Sequence, residues 1–268
     1  MIRNLFKILA FLKRDFLTQV SYRVAFIFQI GGVLLSTGAF YFFTKMIDPS
    51  AEGLDGIPPF DWLLVGLAFQ FYFSTALYSF SAKIRNEQLL GTLEAMLVSP
   101  TPTGIVIFSS AAWDFTYGTI RMGFYLLVGW LFFDVALHGN SLGPLALGLI
   151  LMLLSSAGLG ILSASFILYF KRGDPINFFL SGLTVFFGTV FFPVQQLPEF
   201  VRPVSELLPI TWALRVARKS LLQGASAEEL YGELIRLAIL TVVLLPLGLL
   251  FSRVAIRKAK KEGSLIQY

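Results

Sequence analysis

The chain contains no cysteine and a single histidine, His138. Disulfides, thiol nucleophiles and thiolate metal sites are therefore excluded, and one imidazole in an expected loop is a poor start for a metal centre. Charge is scarce as well. Asp, Glu, Lys and Arg make up 14% of the 268 residues, against about 25% in a soluble domain. No G-x-x-x-x-G-K-[S/T] occurs, so no P-loop is present to hydrolyse a nucleotide. H-E-x-x-H is missing too, which removes the usual residues of zinc proteolysis. This chain is not expected to be an enzyme or to hold a cofactor or metal of its own.

What fills the space is apolar. Hydrophobic residues are 56% of the chain, 28 of them Phe, and mean hydropathy is +0.75. Six segments are long enough to cross roughly 30 Å of hydrocarbon as helices. They lie near 24–44, 60–82, 104–133, 142–170, 176–193 and 234–252. The fold class is thus an all-α membrane protein with six transmembrane helices, read as one domain over 1–268.

Three further pieces complete it. In residues 1–23, Ile2, Leu5, Leu9, Leu12 and Phe16 recur at helical spacing, with Arg3, Lys7 and Arg14 opposite. This pattern predicts an amphipathic helix in the membrane interface, and no cleavable leader. Residues 194–231 are broken by Pro198, Pro203 and Pro209, following Pro193, and carry short apolar periodicities. They predict short outer helices, re-entrant or lying on the leaflet. Arg215, Arg218 and Lys219 form a basic stripe there, suited to lipid phosphate or to headgroup anchoring. Between spans four and five, Asp174 and Pro175 predict an N-cap and first turn, hence a tight hairpin.

Basic residues set the orientation. Most of the 21 lysines and arginines gather on one side if both termini are cytoplasmic. The net charge of +5 is therefore a membrane-boundary signal, not one for nucleic acid.

The cytoplasmic side then includes a polar island, Arg85–Pro102, within the segment 83–103. A helix starting near Asn86 puts Glu87, Gly91 and Glu94 on one stripe, a surface that another protein can grip closely. Glu94 has an alternative partner in Arg85 or Lys83. Within the spans, Asp114 and Arg121 stand seven residues apart on one helix face. They line a polar pathway or subunit interface, or they pair with a neighbouring helix. Gly32 with Ser36, Ser156 with Gly160 and Ala164, and Thr184 with Gly188 offer close-packing positions.

Three motifs together resemble one family. Glu87-Gln-Leu-Leu-Gly-Thr-Leu-Glu-Ala-Met-Leu-Val-Ser-Pro-Thr-Pro102 resembles the cytoplasmic motif of type-2 ATP-binding cassette exporter permeases. So do Lys171-Arg-Gly-Asp-Pro175 and the set Phe191-Phe-Pro-Val194, Leu197-Pro198, Pro209-Ile-Thr211, Arg215, Arg218 and Gln223-Gly224. The resemblance covers essentially the whole chain. It implies a transmembrane subunit of an exporter that moves an amphipathic or lipid-linked glycan, lipid or drug outward. Two copies of a separate ATPase, holding ATP and Mg, would drive a permease homodimer among membrane lipids. Glu87, Gly91, Thr92 and Glu94 would couple to that ATPase, and Pro193, Pro209, Arg215 and Arg218 would shape the outer exit. The implied location is a bacterial or archaeal cytoplasmic membrane. The rival reading is an ATP-independent channel or assembly scaffold.

Overall fold

Hydrocarbon offers no water to backbone N–H and C=O groups, so long apolar segments must close their own hydrogen bonds as helices. The structure, a computed structural model, describes residues 13–14, 16–17, 21, 23–46, 53–89, 103–170 and 174–262. For some of these, 87–89 and 103–110 included, it describes the backbone alone. The described residues form helices and connections, with no strand among them. In chain order the helices are α1 (Arg23–Thr44), α2 (Pro59–Leu89), α3 (Thr103–Phe133), α4 (Leu142–Phe170), α5 (Pro175–Phe187), α6 (Arg202–Glu206), α7 (Pro209–Leu222) and α8 (Tyr231–Glu262). A single 3-10 turn at Val194–Gln196 precedes α6.

Among the described residues, four helices hold stretches long and apolar enough to cross a membrane: Ile27–Thr44, Pro59–Asn86, Leu142–Phe170 and Tyr231–Lys258. The other two expected spans look different. α3 has 31 residues, enough for about 46 Å of helix, but carries Asp114 and Arg121 and is not one of those four. α5 has 13 residues and covers only about 20 Å. It ends at Phe187, short of the expected boundary at 193, because Gly188 caps it and Thr189 turns to φ 56°. A positive φ is uncommon for a β-branched residue, so a tertiary contact has to hold this turn.

A second correction concerns the polar island. Its helix was expected to start near Asn86. Instead α2 runs without a break from Pro59 to Leu89. No proline or cap intervenes after Pro59, so the helix of the second span carries straight on into the island.

α2 is also the centre of the bundle. Of its membrane-length stretch 72% is buried, against 17% for those of α1 and α8. Phe69, Phe73 and Leu77 of α2 pack with Tyr125, Met152, Ile210, Leu214 and Leu237 in the main core. α3, α4 and α7 all lie against α2, and α4 pairs along most of its length with α8. Glycine permits that pairing: a Cβ on Gly158 would stand 2.6 Å from the Leu244 carbonyl oxygen, and Gly248 packs on Gly158. On the α2 side, a Cβ on Gly160 would stand 2.6 Å from the Leu77 carbonyl oxygen. The stripe Ser156, Gly160 and Ala164 therefore serves contacts within the bundle, whereas Gly32 of α1 faces open space.

Phe28 and Leu35 of α1, Phe178 and Phe186 of α5, and Val242 of α8 are exposed. Hydrocarbon is the solvent that tolerates such faces. The interfacial helix expected over 1–23 falls largely outside the described residues. At its edge, Phe16 meets Trp113 of α3 edge-on at 5.4 Å.

Candidate functional site

Polar side chains are costly in this setting, so where several meet they mark the places to examine. One group surrounds the last turns of α2. On one side, the Ser79 hydroxyl donates to Asp114 Oδ2 of α3 at 2.9 Å. Lys83 Nζ stands 4.0 Å from Asp114 Oδ1. On the other side is Asn177 of α5, fully buried. Its amide donates to Ser81 Oγ at 2.7 Å and to Asp174 Oδ2 at 2.7 Å. Its backbone carbonyl accepts from the Tyr78 hydroxyl at 3.3 Å. Asp174 caps α5 by accepting from the Asn177 backbone N–H at 3.1 Å, with Pro175 in the first turn. Ser163 of α4 also donates to Asp174. Thus α2 is tied by hydrogen bonds to α3 and α5, and through Asp174 to α4, just before the island begins.

Asp114 and Arg121 do not act as a unit. Asp114 has taken the pairing with a neighbouring helix. Arg121 instead places its guanidinium carbon 5.0 Å from the Phe71 ring centroid, a cation–π contact. Its other side faces a cavity of about 210 Å³ lined by Gln29, Tyr117 and apolar residues of α1 and α3. Tyr117 donates its hydroxyl to Gln29 Oε1.

At the opposite end of the bundle the basic stripe has to be corrected. α7 is almost wholly buried, wedged among α2, α4 and α8. Its Arg218 is 2% exposed and cannot meet a headgroup. The guanidinium donates to the carbonyls of Thr189 at 2.8 Å, Val190 at 3.1 Å and Trp62 at 3.2 Å. It lies 3.6 Å from the Trp62 ring centroid. Burial pushes its pKa well below the ordinary guanidinium value. The carbonyl dipoles and the indole face work in the opposite direction. These contacts also supply the tertiary hold on the Thr189 turn.

Arg215 stacks on Trp212 at 4.3 Å, and Arg236 of α8 packs on the same ring at 4.6 Å. Lys219 pairs with Glu233 at 2.7 Å. The stripe is dispersed because each position of α7 faces a different neighbour.

Pro209 starts α7 at its first turn, and Trp212 Nε1 donates to the Glu206 carbonyl at 2.8 Å. Pro193 helps line a second, apolar cavity of about 350 Å³ with Phe40, Phe43, Trp62, Phe191 and Phe192. Pro193 and Pro209 thus flank the connection from α5 to α7, with Pro193 alone on the cavity.

Of the coupling residues, Glu87 lies in the last turn of α2 by its backbone, and its side chain is not described. Gly91, Thr92 and Glu94 lie outside the described residues, as do Lys171, Arg172 and Gly173 of the hairpin. His138 is an exposed loop residue, as expected. Its backbone N–H donates to the Leu221 carbonyl at 2.7 Å. The letters Gly139-Asn-Ser-Leu-Gly143 spell G-x-S-x-G, but Ser141 is buried, donates to the Ala225 carbonyl and precedes a helix without any strand. That is a structural role, unlike a nucleophile elbow. Among the described residues no group of His, Asp or Glu is placed to hold a metal.

Reasoning from sequence missed Ser79, Ser81 and Asn177, and the carbonyls that receive Arg218. The signal for Asn177 was present, as a carboxamide in an apolar helix.

A chain of apolar helices, tied by polar contacts where a central helix leaves the bundle, is the build of a transporter's membrane domain. A family model, ABC-2 type transporter, matches residues 7–222, and the chain belongs to that family. It is a multi-pass membrane protein and a transmembrane subunit of an ABC transporter. Membership implies an ATPase partner in general. A comparison with curated protein sequences finds no match.

Proposed function

We propose that this chain is the permease of an ATP-driven exporter, carrying an amphipathic or lipid-linked substrate out of the cytoplasm. A separate ATPase drives it, with two ATPase copies and two permease copies in the complex. In this reading α3 and the short α5 complete six membrane passes, α5 with the help of the chain that follows it. Both termini and the island Arg85–Pro102 face the cytoplasm. ATP and Mg act in the partner subunit, where the P-loop missing from this chain would reside.

One observation carries the reading: α2 is at once the most buried long helix and the one that continues into the island. Its polar ties to Asp114 and Asn177 sit in its last membrane turns. A force on residues 85–102 would then move the core as a unit instead of bending a loose end. Glu87, Gly91, Thr92 and Glu94 form the surface that receives the force. The apolar cavity at Trp62, Phe191 and Pro193 lies at the far end of the same helix and suits the apolar part of a departing substrate.

The test is Glu94→Ala combined with Gly91→Leu. Loss of ATPase co-purification, with loss of transport, is the expected outcome. Unchanged co-purification and transport would sink the assignment.

A further inference from the structure

We propose that Arg121 and the cavity beside it form a binding site for an amphipathic anion, a phosphate headgroup carrying an apolar chain. Arg121 sits midway along α3, in an apolar part of the bundle. Its Nε is buried and has no hydrogen-bond partner among the described residues. Among the described residues, no carboxylate lies within 4.0 Å of it either. One face of the guanidinium is covered by Phe71. What faces the cavity is a planar cation whose donors are unspent.

The rest of the cavity fits the same ligand. Tyr117 gives its hydroxyl proton to Gln29 Oε1, which satisfies that acceptor and leaves the Gln29 amide N–H₂ as a donor. Among the described residues, no acidic side chain lines the cavity. Ile30, Val33, Ile120 and Phe124 supply apolar walls, so headgroup and chain find matching surfaces side by side. Phosphate oxygens suit the two-pronged edge of arginine, and a charge withheld from water gains most from an opposite charge.

The cavity lies between α1 and α3. α1 is little enclosed, with 17% of its membrane-length stretch buried and Phe28 and Leu35 exposed. A lipid-phase ligand can therefore reach the site sideways. Two sources share this chemistry: a resident bilayer phospholipid, or cargo in transit. Only the cargo source rests on the exporter reading, since binding needs no ATPase.

The experiment uses the full chain purified in dodecyl maltoside, titrated with dodecyl phosphate and followed by thermal unfolding. The wild type should show a saturable rise in Tm. Dodecyltrimethylammonium, with the same chain and opposite charge, should give none. Arg121→Gln should abolish the rise and Arg121→Lys should weaken it. Ile120→Trp, which fills the cavity and keeps the charge, should raise the apparent Kd by about tenfold or more.

Equal shifts with the two amphiphiles in the wild type would overturn the proposal without any variant. So would an undiminished phosphate response in both Arg121→Gln and Ile120→Trp. Mass spectrometry of the gently extracted protein then separates the sources. A phospholipid retained by the wild type and lost in Arg121→Gln marks a resident lipid. Phosphate binding with no retained lipid marks a site visited by cargo. Failure of the exporter test above would leave the binding result standing.

Discussion

The guanidinium of Arg218 lies 3.6 Å from the ring centroid of Trp62, inside the protein and between two ends of the chain's fold. Trp62 opens α2, Arg218 closes α7, and Thr189 and Val190 beyond α5 bond to the same guanidinium. One side chain thereby joins three segments whose backbones would otherwise present carbonyls to an apolar interior.

Arg218→Met should be strongly destabilising. Removing the cation takes a donor from three buried carbonyls, those of Thr189 and Val190 lying outside any helix, and losses of this kind run to about 3 kcal/mol or more. Arg218→Lys should fall between wild type and Met, since an ammonium cannot reach the three acceptors in one plane. Thermal unfolding in detergent measures both. A Met variant as stable as wild type would show that these contacts add nothing.

Asn177→Ala should lower stability by about 2 kcal/mol, because Ser81 and Asp174 lose a shared donor in a buried setting. Asn177→Asp should be worse at neutral pH, placing a second carboxylate beside Asp174. Lowering the pH should rescue the Asp variant in part and leave the Ala variant unmoved. A pH series of unfolding midpoints distinguishes them.

Asp114→Asn keeps an acceptor for the Ser79 hydroxyl and discards the charge facing Lys83. Stability should change by less than about 1 kcal/mol, as for other partly exposed pairs. Under the exporter reading, transport per ATP hydrolysed should fall further than stability does, and Asp114→Leu should lower it more. Equal transport in all three proteins would detach this contact from coupling.

Gly158→Leu should disrupt the fold, because its side chain would enter the backbone of α8 at Leu244 and Leu245. Gly38→Leu, made in open space on α1, should be tolerated within about 1 kcal/mol, near the general helix preference for Leu over Gly. Monodispersity on gel filtration and unfolding midpoint would report the contrast.

Lys219 and Glu233 provide a control. Their 2.7 Å ion pair has Lys219 39% exposed. Glu233→Gln should therefore cost only about 0.5 kcal/mol, and less as salt is added. A loss as large as that of Arg218→Met would mean that burial does not set the energetics here.

The helical segments were legible because their cause is local. Apolar runs such as Leu142–Phe170 leave the backbone one economical way to satisfy itself in lipid, whatever surrounds it. The cap at Asp174 and Pro175 was equally local. The ends of the elements were less so. α5 stops at Phe187, where Gly188 caps it, and Arg218, 29 residues beyond Thr189, holds the carbonyl of the turn that follows. α2 passes through the expected break at Asn86 because nothing in its own sequence stops it.

Charge was the harder matter. Arg215, Arg218 and Lys219 read as one stripe at helical spacing, yet one is buried on carbonyls, one stacks on Trp212 and one pairs with Glu233. Asp114 and Arg121 read as one face, yet each found a different setting two turns apart. Composition and periodicity by themselves determined an all-helical membrane protein, and the resemblance carried by three motifs added the transporter family. Only tertiary structure decided which polar groups are spent and which are free. Spacing along a helix tells which way a side chain points, but the helix that meets it there comes from a distant part of the chain.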